Sequence, residues 1–186
     1  MNYKTNTFVA FLRGINVGGH HKVPMQALKK VFSSLYCSKI DTVLNSGNII
    51  FNSDEPHLTV LQNNIEIQLK NQFGFAIPTI LIPANEILQL NNSNPFKEIN
   101  ITNNTRLYIS FFSNSLDASI KLPWVSADNS FNIIAYQKNY MLSVLDLSTN
   151  KTPKAMHLIE SIAGKHVTTR NWNTIVKIAS KLRDKS

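Results

Sequence analysis

Between Thr7 and Ile82 the apolar residues switch repeatedly between strand and helix spacing, and few folds accommodate the resulting order. Thr7–Leu12 is a short apolar run closed by Arg13-Gly14, as expected of a central strand covered on both faces. Pro24 then opens a helix whose Met25, Leu28, Phe32 and Leu35 form one stripe. Thr42–Asn45 and Ile49–Asn52 flank Ser46-Gly47-Asn48, where Gly and Asn tolerate the positive φ of a tight hairpin. Leu58, Leu61, Ile65, Leu69 and Phe73 predict a second helix, and Ile77–Ile82 a strand that Pro78 consigns to an edge or a strand start. The order β-α-β-β-α-β is the ferredoxin-like arrangement.

Ala84–Leu90 predicts a short helix, and Asn91–Pro95 reads as a polar linker, so the expected domains are 1–92 and 93–186. Beyond the linker a similar order recurs. Strands are expected at Leu107–Phe112, Phe131–Tyr136 and Tyr140–Leu145, with a helical piece near Leu116–Ile120 and a helix over Lys154–Ala163. No closing strand is legible. A last helix is expected over Arg170–Leu182, capped by Thr168 or Thr169. The fold class is therefore α+β: two tandem ferredoxin-like subdomains with an extra C-terminal helix.

Charge is unevenly spread. Of the net +8, residues 1–40 hold six basic and no acidic residues, residues 151–186 hold eight basic residues against Glu160 and Asp184, and the middle is net acidic. Two basic ends would form one positive surface for an anion if the fold brought them together. One cysteine, Cys37, excludes a disulfide framework, and the longest early apolar run, Phe8–Leu12, is too short for a signal peptide or a membrane span. A cytoplasmic protein with no membrane partner is expected.

The densest unusual segment is Arg13-Gly14-Ile15-Asn16-Val17-Gly18-Gly19-His20-His21-Lys22-Val23-Pro24-Met25. It leaves a strand, turns on glycines and enters a helix. Glycines let backbone approach a ligand, a helix start has unpaired N–H groups, and Arg13 and Lys22 add charge, so an oxyanion fits. Neither the Walker A spacing nor the dinucleotide fingerprint is present. Asn45, Ser46 and Asn48 belong to the hairpin turn and would line a polar pocket if that turn lay beside Arg13 and Asn16. Near the C-terminus, Arg170, Thr174, Lys177 and Lys181 would stripe one helix face, with Trp172, Ile175, Val176, Ala179 and Leu182 opposite. Arg170, with Asn171, would then sit at the helix start, where the dipole favours an anion.

Arg13–Gly19, Lys22–Met25, Asn45–Asn48 and Thr169–Asn173 together closely resemble the bacterial domain-of-unknown-function family numbered 1697. The resemblance implies two ferredoxin-like α+β subdomains and implies no catalysed reaction. Thr152-Pro153-Lys154-Ala155 departs from the pattern: relatives show a Ser-Lys pair there, so Lys154 carries over and the serine does not.

Catalytic patterns are scarce. No nucleophile elbow surrounds Ser46, no acid falls in any of the motifs, and His20 and His21 are adjacent, which suits no metal site. No metal and no cofactor are expected. Nor is there an aromatic platform for RNA bases, since Phe8 and Phe11 face opposite sides of one strand. The leading expectation is a non-catalytic module binding a phosphate-bearing small molecule or nucleic acid through Arg13, Asn16, Gly18, Gly19, Lys22, Arg170 and Asn171. The alternatives are a small-metabolite enzyme using His20 or His21 with an arginine clamp, and a protein–protein adaptor.

Overall fold

The computed structural model describes residues 6–112, 122–137, 139–149, 151–164 and 166–184. The chain divides into two compact units: Met1–Asn92 with Lys177–Ser186, and Ser93–Val176.

In the first unit, β1 (Asn6–Leu12) is flanked by β3 (Asn48–Ser53) and β4 (Thr79–Pro83), with β2 (Ser38–Val43) outside β3; all neighbours are antiparallel. The unbroken apolar run of β1 is explained by this central place, because both of its faces are buried. Phe8, Ala10 and Leu12 share a core with Leu28, Val31 and Phe32 of α1 (Met25–Ser34) and with Leu61, Ile65 and Leu69 of α2 (Leu58–Phe73). Burying those side chains stabilises the unit by about 1.5–3 kcal/mol for each large one. The β-α-β-β-α-β order expected from the apolar spacing is the order observed, and Pro78 immediately precedes β4, an edge strand.

Three local details differ from expectation. Pro24 is the N-cap of α1, with extended backbone at φ −65° and ψ 133°, and stands one residue before the helix. In the β2–β3 turn the positive φ falls on Leu44 (60°) and Gly47 (74°), while Asn48 is already in β3 and fully buried. The residues expected to be linker, Asn91–Ser93, form the last turn of α3 (Ala84–Ser93), because buried Ile87 and Leu90 carry the helix through them. Asn92 also accepts a 2.7 Å hydrogen bond from Arg183 Nη2.

Helix α1 stops in a hydrogen-bonded reversal in which Cys37 N–H donates to Phe32 O and Tyr36 N–H to Ser33 O. Such a reversal puts its first residue beyond the cap in the left-handed region, usually as glycine. Here Tyr36 holds φ +59° with 96% of its surface exposed. Tyr36→Gly should therefore raise stability by about 0.5–1 kcal/mol, the left-handed cost of an L side chain less the extra unfolded-state entropy of glycine. A higher urea midpoint at unchanged slope is the expected reading.

The second unit contains β5 (Thr105–Phe112), β6 (Trp124–Val125), β7 (Phe131–Gln137), β8 (Tyr140–Asp146), α4 (Thr152–Ala163) and β9 (Val167–Asn171). They form an antiparallel sheet in the order β6-β7-β8-β5-β9. Ala155 and Ile159 of α4 pack on Tyr108, Phe112, Phe131, Ile133, Met141 and Leu145. The helical piece expected near Leu116–Ile120 lies outside the described residues.

Strand β9 corrects the reading of the C-terminus. Val167-Thr168-Thr169 are β-branched, and the strand pairs with β5 from Val167↔Phe112 to Asn171↔Tyr108. The final helix, α5 (Trp172–Arg183), thus begins directly after the strand, and Arg170 is a strand residue rather than a helix-start residue. Asn171, not Thr168 or Thr169, is the cap: its Oδ1 accepts a 2.9 Å bond from Asn173 N–H. Burial on α5 centres on Ile175, Ile178, Ala179 and Leu182, so Val176 is 42% exposed and Thr174 is buried, the reverse of the expected stripe.

Candidate functional site

The segment between β1 and α1 folds on itself. Val17 and His20 form an isolated bridge, with His20 N–H donating to Val17 O at 3.1 Å, so that Gly18 and Gly19 form the tip of a small hairpin. Positive φ at Gly14, Asn16, Gly18, Gly19 and His21 gives the segment its curvature. A Cβ on Gly18 or Gly19 would meet nothing within 4 Å, so these glycines serve conformation and leave the tip open. Their N–H groups make no hydrogen bond among the described residues.

Asn16 holds the base of this hairpin. Its Nδ2 donates to Val23 O (3.1 Å) and Asn45 O (2.8 Å), while its Oδ1 accepts from Val23 N–H (2.8 Å). Its own N–H donates to His21 O at 3.1 Å. The bond to Asn45 links the glycine segment to the β2–β3 turn, as does the 2.8 Å bond from Leu12 N–H to Gly47 O. Two of the motifs are thereby one surface.

On that surface Gly18, Gly19, His20, Lys22, Asn45 and Ser46 are exposed and Arg13 is half-buried, with Arg13 N–H donating to Pro78 O. His21 stacks on Phe75 at 4.3 Å, and its Nδ1 lies 3.2 Å from Gly14 O. A carbonyl only accepts, so that contact places the proton on Nδ1. Asn48 differs from its neighbours: its Nδ2 donates inward to Val43 O (2.8 Å) and Ser46 Oγ (3.0 Å), so it supports the turn and presents nothing outward. No acidic residue precedes Asp41, whose carboxylate pairs with Lys181 at 2.9 Å and Lys29 at 3.7 Å.

Arg170 and Asn171 belong to the second unit. Arg170 Nη1 donates to Thr168 Oγ1 (2.8 Å) and Thr169 O (2.9 Å), and burial pushes its guanidinium down to about 10, still charged at neutral pH. Trp172 is a core residue, edge-on to Phe96 at 5.2 Å. Lys154, the residue matched to the family's lysine, pairs with Asp128 at 3.2 Å. Hydrogen bonds from Ser126 and Ser130, then from Lys154, hold the Asp128 carboxyl well below the usual carboxylate range. This cluster escaped the sequence reading. Its only signal is the alternation Ser126-x-Asp128-x-Ser130, which is also what an ordinary turn shows.

Other chemistry finds little support. Cys37 is buried, and burial pushes its thiol up to about 11, which leaves almost no thiolate near neutrality. Among the described residues no group of three His, Cys, Asp or Glu could hold a metal ion. No described helix is long and apolar enough to cross a membrane. A groove of about 730 Å³, lined by Thr7, Asn52, Asn85 and Glu86 among others, contains none of the motif residues.

The chain is thus an α+β protein with two antiparallel sheets, whose first unit carries an exposed, acid-free glycine loop. Residues 5–138 match the family described as Protein of unknown function (DUF1697), and the chain belongs to that family. No curated protein matches it. It is similar to the conserved bacterial protein SP0830 from Streptococcus pneumoniae at 20% identity and a TM-score of 0.67, covering 96% of this chain and 99% of that one. An unknown protein from Galdieria sulphuraria is matched at 10% identity and a TM-score of 0.28, over 90% of this chain and 98% of that one.

Proposed function

We propose that the surface made by the 13–22 loop and the Asn45–Ser46 turn binds a phosphate group of an anionic ligand without catalysing its turnover. The observation that supports this reading is the Asn16 side chain, which fastens to Asn45 the segment that carries Arg13, Lys22 and the Gly18 and Gly19 N–H groups. Open N–H groups at the tip and basic side chains on the same segment are what a phosphate oxygen needs. Asn16 acts as a positioning residue, while Arg13, Lys22, His20, Asn45 and Ser46 are the candidate contacts. Phosphate is common to nucleotides and to nucleic-acid backbone, and salt separates the two.

The test is a titration of labelled protein with ATP and, separately, with a twelve-nucleotide single strand, following the Gly18 and Gly19 amide signals. Saturable shifts are expected, weakened about tenfold or more when Arg13 and Lys22 are both replaced by Ala, since a hydrogen bond to a charged group contributes about 1.5–3 kcal/mol. If the strand is the better ligand, its affinity should fall with salt at about 0.7 logarithmic units per phosphate neutralised. Absence of a saturable response to either probe would end the proposal.

A further inference from the structure

The face of the first sheet turned away from α1 and α2 carries a separate groove. Side chains alternate along β1, so where Phe8, Ala10 and Leu12 enter the core shared with the two helices, Thr7 belongs to the opposite face. On β3, Phe51 joins that core, and Asn52, the cross-strand partner of Thr7, turns away with it. Thr7 and Asn52 line the groove of about 730 Å³ together with buried Ile50 and Leu182 and with Asn85 and Leu88 of α3. Asn52 stands four residues along β3 from Asn48, about 13 Å at about 3.3 Å per residue, so the groove is distinct from the surface beside the glycine loop.

We infer that this groove binds a neutral planar heterocycle that carries a hydrogen-bond donor beside an acceptor on one edge, the chemistry of an adenine base. The bond between its two strand residues decides which polar groups are left for a ligand. Thr7 Oγ1 donates its one proton to Asn52 Oδ1 at 3.0 Å, which leaves the threonine oxygen an acceptor. Asn52 Nδ2 makes no hydrogen bond among the described residues, so its two protons remain to be donated. A donor therefore lies next to an acceptor, the same pairing by which an amide side chain reads the amino group and adjacent ring nitrogen of adenine. Asn85, in the first turn of α3, adds a second amide whose side chain makes no hydrogen bond among the described residues. Ile50, Leu88 and Leu182 suit the apolar faces of a ring, whereas a sugar, polar around its whole circumference, would set unpaired hydroxyls against them. The charged lining residues call for no ionic ligand, because Lys39 and Glu86 are opposite in sign and each is already engaged within the chain.

The experiment is a titration of the isotope-labelled full chain with 9-methyladenine, which has the donor and acceptors of the base but neither sugar nor phosphate. The comparisons are 9-methylpurine, which lacks the amino donor, and ribose. Saturable shifts with 9-methyladenine are expected in the side-chain amide signals of Asn52 and Asn85 and in the backbone amides of Thr7 and Ile50, while Gly18 and Gly19 stay unmoved. Loss of one hydrogen bond should make 9-methylpurine bind about fivefold more weakly, and ribose should give no saturable response. Thr7→Val keeps the shape of the side chain and removes the acceptor, and should weaken 9-methyladenine by about fivefold. Asn85→Ala should weaken it by about threefold or more; that position is exposed, so this variant decides the matter if Thr7→Val fails to fold. Equal binding of 9-methylpurine, or undiminished affinity in Asn85→Ala or in a folded Thr7→Val, would overturn the assignment. Saturable ribose shifts at the same amides would give the groove to a sugar and overturn it equally. Absence of any saturable response to 9-methyladenine would also end it, and would leave the phosphate reading of the glycine loop untouched.

Discussion

Gly47→Ala should cost the first unit about 2–5 kcal/mol, taking about 1–2 for an L residue in the left-handed region and about 1–3 for overpacking. Gly47 has φ +74°, and a Cβ there would lie 2.8 Å from both Ile15 Cδ1 and Leu12 Cβ. The tip of Ile15 has some freedom to move, but Leu12 Cβ is fixed to a central strand whose N–H donates to Gly47 O at 2.8 Å, so the turn itself must give way. Domains are stable by about 5–15 kcal/mol in total, which makes this a large fraction. Gly18→Ala is the informative comparison. Its φ is +59°, but nothing lies within 4 Å of the added carbon, so only the conformational cost of about 1–2 kcal/mol applies. Urea unfolding of the two variants should separate them clearly; equal losses would mean that the contact with Leu12 is unimportant.

That pair of glycines also marks what a sequence can and cannot disclose. Both sit in recognisable turns, and the apolar spacing that frames them was sufficient to order the first unit's elements, because Phe8–Leu12 and the 58–73 periodicity each report burial that local geometry already dictates. What spacing does not encode is which backbone atom approaches another. The collision awaiting a Cβ at Gly47 depends on Leu12, thirty-five positions earlier, and is visible only once β1 and β3 are paired.

The C-terminus failed for a related reason. Thr169-Arg170-Asn171 can cap and open a helix as readily as it can end a strand, and the decision lies with the edge of β5, which β9 joins through five residue pairs. A two-residue strand such as β6 has too little sequence to carry any period. In the candidate site, the residue types were readable while their division of labour was not. Asn16 and Asn48 look like ligand contacts when read along the chain, yet one holds the loop and the other fills the inside of a turn.

That division of labour predicts the second large effect. Asn16→Gly removes no charge and relaxes a φ of +56°, but it deletes two donated bonds and one accepted bond. The buried end of the loop then has a Val23 N–H without its acceptor, at a cost of about 1–3 kcal/mol. The larger consequence falls on binding. With the fastening to Asn45 lost, Arg13, Lys22 and the tip N–H groups must be ordered by the ligand itself, and each immobilised side chain then consumes about 0.5–1.5 kcal/mol of the interaction. ATP should accordingly bind at least tenfold more weakly to Asn16→Gly than to the parent protein, even though every contact group remains. Asn16→Asp should be worse in both stability and affinity: it keeps an acceptor for Val23 N–H, but sets a carboxylate against the Val23 and Asn45 carbonyls and beside the phosphate. Undiminished ATP affinity in a folded Asn16→Gly protein would show that the two motifs act independently, and the phosphate would then have to be held by the glycine loop alone.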